Sequence, residues 1–285
     1  MGPGGPAPLL LVDGHHLLWA GTFGFPAPVW SRDRTRELTG VFAFFALLRA
    51  TIRDDLDTGP PEVLVVFDGE HGGADRKVAD PRYKAHRPTD PAALTPLQAL
   101  PEVKRGLDAY GIAWVEVDDA EADDVIATLT YRYADRPVRI MSGDQDYYQL
   151  LEEPRVRVVN RARRAGQRLI TATEVAERFG VTPAQWADYR ALTGDASDGL
   201  AGVHGVGKTT AARLLAGGLT LEDLPGSGRL AGATGRAVAA AWPRVLTWRA
   251  MIRMRTDVPV PSVVRGAPSP ALPAPAEVLD KLELW

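Results

Sequence analysis

Short apolar runs that each stop at an acid constrain this chain more than any other feature. Leu9-Leu10-Leu11-Val12 ends at Asp13-Gly14, and Glu62-Val63-Leu64-Val65-Val66-Phe67 ends at Asp68-Gly69. Ile112 to Val117 feeds the acidic stretch Asp118-Asp119-Ala120-Glu121-Ala122-Asp123-Asp124, and Val138-Arg139-Ile140-Met141 runs on to Ser142-Gly143-Asp144-Gln145-Asp146. Continuous apolar runs of this length suit strands buried on both faces. Between the first two, Leu38, Val41, Phe42, Phe45, Leu48 and Ile52 keep a helical period. Further helices are expected from Thr95-Pro96, over Glu102 to Tyr110, and from the acidic stretch through Leu129. The alternation predicts an α/β fold, a mainly parallel central sheet flanked by helices. Ligands of such sheets bind beyond the carboxyl ends of the strands, where these acids collect.

The rest of the chain reads differently. Between Glu70 and Leu100, Arg76, Lys77, Arg82, Tyr83, Lys84, His86 and Arg87 alternate with glycine and proline, too long and too charged for a plain connection. A hairpin is expected from Val156 to Ile170, then a helix from Thr182-Pro183 to Leu192, a glycine hairpin from Gly202 to Gly207, and a helix from about Thr209 to Leu215. From Pro259 to Pro275 the composition predicts an extended linker, with a short helix at Ala276 to Leu284. The expected organisation is a disordered N-terminus over 1–8, an α/β core over 9–170, a helical region over 171–258 and a proline-rich tail over 259–285.

Composition narrows the chemistry. The 285 residues contain no cysteine, which excludes disulfides, thiolate zinc sites and a thiol nucleophile. The N-terminus has no basic flank and only a short apolar run, so neither a signal peptide nor a membrane span is expected, and the protein is read as soluble and cytoplasmic. Three strand-end acids, Asp13, Asp68 and Asp144, should share one edge with Glu121, Asp123, Asp124 and Asp146, and Asp195 and Asp198 could join from the helical part. Each has an ordinary explanation, as turn chemistry or helix capping. Together their repulsion disfavours ionisation unless cations intervene. Oxygen-only donors point to magnesium or manganese, and two such ions roughly 4 Å apart form the clamp used in phosphoryl chemistry. These nine acids exceed the formal charge of −3, so the remaining chain is net basic, an arrangement that draws phosphates to the rim of an acidic pit.

Leu11-Val12-Asp13-Gly14-His15-His16, Phe67-Asp68, Tyr83-Lys84-Ala85-His86-Arg87, Glu121-Ala122-Asp123-Asp124, Asp144-Gln145-Asp146-Tyr147-Tyr148-Gln149-Leu150 and Ala191-Leu192-Thr193-Gly194-Asp195-Ala196-Ser197-Asp198 occur in the order seen in the bacterial 5′ nucleases. The chain resembles these 5′-to-3′ exonucleases and flap endonucleases, which also form the N-terminal domain of DNA polymerase I, over roughly residues 9 to 260. The resemblance implies a PIN-like core, one divalent ion at Asp13, Asp68, Glu121 and Asp123 with Asp124 close by, and a second near Asp144, Asp146 and Asp198 with Asp195 supporting. It implies a helical arch over about 70–100, with Arg76, Tyr83, Lys84 and Arg87 toward DNA and Lys84 assisting at the scissile phosphate. It also implies a helix-three-turn-helix over about 184–216, often holding potassium. The implied reaction is phosphodiester hydrolysis on DNA with 5′ ends, flaps or RNA primers, leaving a 3′ hydroxyl and a 5′ phosphate, during replication and repair. A ribonuclease on a related PIN-type sheet and a non-catalytic junction binder are the alternatives. No polymerase domain follows, so a free-standing, monomeric nuclease is expected.

Gly202-Val203-His204-Gly205-Val206-Gly207-Lys208-Thr209 also satisfies the Walker A pattern. A P-loop follows a buried strand, whereas polar, turn-rich residues precede this one, so Gly202, Gly205, Gly207, Lys208 and Thr209 are read as a duplex-phosphate grip without a nucleotide cofactor. Departures from the family pattern are Trp19-Ala20-Gly21 in place of an arginine, Ala120 and Asp75 in place of aromatics, Gln145 in place of a lysine and Gly199 in place of an asparagine.

Overall fold

The computed structural model describes residues 6–285. Its centre is a six-stranded sheet made of β1 (Leu9–Asp13), β2 (Glu62–Asp68), β3 (Ala113–Val117), β4 (Val138–Met141), β5 (Val156–Val159) and β6 (Leu169–Ile170). The order across the sheet is β3-β2-β1-β4-β5-β6, parallel throughout except for the β5-β6 pair. Side chains alternate between two cores, as period two demands. Leu10, Val12, Val63, Val65 and Phe67 face one, and Leu9, Leu11, Leu64 and Val66 the other.

The first core is covered by α1 (Gly14–Gly24), α2 (Thr39–Asp54) and, after α3 (Ala74–Ala79) and α4 (Thr95–Gln98), by α5 (Leu100–Ala109). The second is covered by α6 (Ala122–Arg132) and a helical region of α7 (Ala172–Phe179), α8 (Trp186–Thr193), α9 (Lys208–Leu215) and α10 (Gly232–Ile252). Thr171 and Glu174 form a reciprocal capping box that starts α7. None of the helices among the described residues is long and apolar enough to cross a membrane.

Three parts of the sequence reading change. α1 was not anticipated: Asp13 closes β1 and at once caps the helix, accepting the His16 N–H at 3.0 Å. The residues expected as a loose linker strap the back of the sheet instead. Ser269 N–H donates to the Pro61 carbonyl (3.0 Å), its Oγ accepts from Val63 N–H (2.8 Å), and Glu62 accepts from the Arg265 and Gly266 amides. α11 (Pro275–Lys281) then buries Val278 and Leu279 against α2, with Leu282 and Leu284 beside them. Of the expected N-terminal tail, residues 1–5 lie outside the described residues, while Ala7 is buried and donates its N–H to Gly266.

Candidate functional site

β2 and β4 flank β1, so Asp13, Asp68 and Asp144 stand side by side at the carboxyl edge of the sheet. Asp13 Oδ2 accepts from Ser142 Oγ (3.0 Å) and Tyr147 OH (3.3 Å), both beyond β4. Asp68 Oδ1 accepts the Ala122 N–H at 2.7 Å, satisfying a free amide at the start of α6 and drawing that helix to the same edge. Asp144 Oδ1 accepts the Asp146 N–H at 2.8 Å. A cavity of about 490 Å³ opens here, lined by Asp13, Asp68, Glu121, Asp123 and Asp144 together with His15, His16, Trp19, Lys84, Arg87 and Tyr147.

Glu121 and Asp123 therefore face the cleft, and Asp124 does not. Successive helical side chains diverge by about 100°, so Asp123 and Asp124 cannot share a direction. Asp124 is buried and accepts from Arg76 Nη2 (2.7 Å), Arg255 N–H (2.8 Å) and Arg255 Nε (3.3 Å). The i, i+3 pair Glu121 and Asp124 does share a cation, namely Arg76, which also contacts Glu121 and donates from Nε to the Met251 carbonyl at 2.9 Å. Tyr83 OH (2.9 Å) and Lys84 Nζ (2.5 Å) complete the shell of Glu121. Burial raises the pKa of Glu121, but the Lys84 and Arg76 cations outweigh it and hold the carboxyl at about 2. Asp123 is pushed well above the ordinary carboxylate range by burial, and Asp124 and Glu121 add to the rise against the pull of Arg76.

The second acidic group comes from separate elements. Asp146, Asp195 and Asp198 each present a carboxylate oxygen, all within 4.8 Å of one another. Arg190 on α8, which sequence reasoning missed, donates from Nε to Asp146 at 3.2 Å and from Nη2 to Asp195. Asp195 also accepts from the Ser197 N–H at 2.8 Å. Burial raises the pKa of Asp144, Asp146 and Asp198, while Arg190 and Ser197 overcome burial at Asp195 and lower it. The only hint of Arg190 in the sequence was its place five residues before Asp195, on a helix already expected.

The segment expected as an arch holds only the short α3 before a series of turns that reaches Leu94. It reaches the acids nonetheless. Lys84 has left-handed backbone (φ 54°), its N–H donates to the Asp198 carbonyl at 2.9 Å, and its Nζ lies 3.8 Å from the Asp198 carboxylate. Arg87 Nη2 bonds the same carboxylate at 3.1 Å. Arg76 and Tyr83, expected toward DNA, are instead buried beneath Glu121, because an acid that deep needs donors.

In the glycine hairpin, Gly202 is a turn residue rather than an exposed amide: at φ 68° it packs so closely on Gly194 that a Cβ would lie 2.4 Å from the Gly194 nitrogen. Gly205, Gly207, Lys208 and Thr209 are exposed, with Gly207 capping α9 and Lys208 opening it. The residues before this hairpin form an isolated bridge between Asp195 and Leu200, outside the central sheet, so the Walker A pattern lacks its strand.

Comparison with known proteins agrees with this architecture. Residues 8–180 match the 5′-3′ exonuclease N-terminal resolvase-like domain, and residues 181–269 the 5′-3′ exonuclease C-terminal SAM fold. A 5′-3′ exonuclease of Streptomyces coelicolor is 35% identical over 96% of this chain and 94% of its own length. The thermostable DNA polymerase I of Thermus aquaticus is 37% identical over 88% of this chain, which spans 29% of that protein. The chain likewise spans only 24–25% of two other Thermus polymerases it matches. Among solved structures, the T5 D15 protein co-crystallised with metal ions has a TM-score of 0.63 at 18% identity, covering 86% of this chain and 88% of that one. The catalytic core of Rad2 in complex with DNA substrate has a TM-score of 0.61 at 14% identity, covering 99% and 88%. At these identities the structural likeness speaks for the fold, and the sequence matches speak for the family. This chain belongs to the 5′-3′ exonuclease family.

Proposed function

We propose that the chain is a divalent-metal-dependent, structure-specific 5′ nuclease that hydrolyses phosphodiesters of DNA at 5′ ends and flap junctions, including displaced RNA primers. The carrying observation is the convergence of Asp13, Asp68, Glu121, Asp123 and Asp144 on one cavity, with Asp146, Asp195 and Asp198 grouped at carboxylate reach of each other. The donor set fits hard divalent cations. It offers oxygen only, and burial raises the pKa of several of its carboxyls, so added positive charge would favour their ionised form. Magnesium or manganese would be held by Asp13, Asp68, Glu121 and Asp123 on one side and by Asp144, Asp146 and Asp198, with Asp195, on the other. When bound, such ions activate water and offset the charge that builds on a phosphate under attack.

The protein's own residues do the rest. Lys84 and Arg87 line the same cavity as the strand-end acids, which supports a role in orienting the scissile phosphate. Gly205, Gly207, Lys208 and Thr209 offer exposed amides and a cation at the start of α9 for a duplex backbone, without reading bases. Backbone carbonyls of the same hairpin are the proposed seat of a potassium ion. The protein is read as a cytoplasmic monomer that uses no nucleotide cofactor. Junction geometry rather than sequence selects the substrate, and DNA rather than RNA is favoured because the acidic cleft is joined to this hairpin.

A 5′-labelled flap substrate incubated with the protein and magnesium tests this. Metal-dependent release of the flap is expected, with single-stranded RNA a poor substrate. Binding without cleavage would leave only the junction-binding alternative.

A further inference from the structure

We infer that His15 and His16 are positioning residues that set the separation between the two acidic flanks of the cleft, resting on the nuclease reading above. The adjacent imidazoles leave the start of α1 in opposite directions. His15 Nδ1 accepts the backbone N–H of Asp68 at 3.0 Å, at the end of β2. His16 Nε2 accepts the backbone N–H of Gly143 at 2.9 Å, just beyond β4 and next to Asp144. Asp13, two residues before His15, ends the strand between them. One dipeptide just past the central strand thus ties the main chain at Asp68 and at Gly143, the residue before Asp144, to the strand that ends in Asp13.

The hydrogen bonds define the tautomers. A backbone amide always donates, so the nitrogen facing it carries the lone pair, and the proton sits on Nε2 of His15 and on Nδ1 of His16. For the same reason the 3.4 Å approach of His15 Nδ1 to the Asp68 carboxylate is no ion pair. Two close approaches fit this use of the rings. A Cβ at residue 143 would lie 2.6 Å from His16 Cε1, so only glycine admits the ring. A Cβ at residue 14 would lie 2.5 Å from Phe67 Cδ1, so Gly14 lets α1 start close against β2, where His15 packs edge-on to Phe67 at 5.7 Å. The rings hold the backbone at the acids rather than their carboxylates, and displacing such outer partners typically weakens metal binding by about 10- to 100-fold.

The two acceptors differ in reach, which gives a crossed test. Asparagine presents an oxygen near the place of Nδ1, and glutamine near that of Nε2. Manganese binding to the 285-residue chain without DNA, read from loss of the free-ion paramagnetic resonance signal, is compared for wild type, H15N, H15Q, H16N and H16Q, alongside thermal melts. H15N and H16Q should bind within about threefold of wild type, and H15Q and H16N should bind at least about tenfold more weakly. G143A, which pushes the His16 ring aside, should resemble H16N even if a histidine variant folds poorly. Equal behaviour of the asparagine and glutamine variants at each position, whether all near wild type or all weak, overturns the inference alone. A wild type that binds no manganese overturns the nuclease reading and the inference together.

Discussion

Lys84 Nζ stands 2.5 Å from Glu121 Oε1 and 3.8 Å from the Asp198 carboxylate, so one ammonium spans the two acidic groups. Burial disfavours its charge, but Asp198 and Glu121 prevail and raise its pKa, favouring the ammonium form. Replacing it should remove a fixed positive charge where negative charge develops. For Lys84→Met, cleavage of a flap under single-turnover conditions should slow by about 100-fold or more. Slowing of less than tenfold would exclude a role at the phosphate.

Asp146 joins Asp144, Asp195 and Asp198 in a group that gathers only in three dimensions. Asp146→Asn keeps the shape and removes a charge. Cleavage should fall about a thousandfold while DNA affinity, measured in calcium, stays within a few-fold of wild type. A fully active variant would exclude Asp146 from ion binding.

Arg76 provides a contrast, since its guanidinium is buried among Glu121, Asp124 and Asp123. Arg76→Met strands two buried carboxylates, and breaking such a group costs about 3–5 kcal/mol. Its melting temperature should drop by roughly 10 °C. Weakened DNA binding with unchanged melting would restore the arch role expected from sequence.

Stability against pH should depend on divalent ions. Asp123, Asp144, Asp146 and Asp198 have raised pKa values, chiefly through burial. The unfolded chain gives up these protons first, so without ions the fold loses stability as pH rises from the unfolded value toward the folded one. Glu121, lowered to about 2, acts oppositely, but its contribution is lost only as pH falls from the unfolded carboxylate range toward 2. The ion-free protein should therefore melt higher near about pH 5 than near about pH 7. Magnesium should flatten the difference, and its binding should release protons, seen as buffer-dependent heats in calorimetry. Proton-neutral binding would contradict this electrostatic picture.

Lys208 is exposed at the first turn of α9. Lys208→Ala should weaken duplex binding and reduce the slope of log affinity against log salt by about one. Adding ATP should alter neither protein; a nucleotide effect would revive the Walker A interpretation.

Much of this was legible in the sequence, for local reasons. Apolar runs flanked by acids mark buried parallel strands whatever surrounds them, so β1 to β4 and the edge carrying Asp13, Asp68 and Asp144 could be placed from the chain alone. α1 could not, because its buried residues Gly14, Leu17, Leu18 and Gly21 include two glycines, which leaves little periodic apolar signal. The strapping of the proline-rich segment and the docking of the expected terminal helix α11 were equally hidden, since their contacts to Glu62, Val63 and α2 lie far back in the chain.

Strand runs and ordered motifs are properties of neighbouring residues, so the sheet, the family and the candidate acids could be read from the chain alone. How those acids divide follows from packing. Asp123 turns to the cleft while Asp124 turns to Arg76 and Arg255, and Arg190 rather than solvent meets Asp146 and Asp195. Which partners surround each carboxylate depends on pairings between distant segments, and these exist only once the chain has packed.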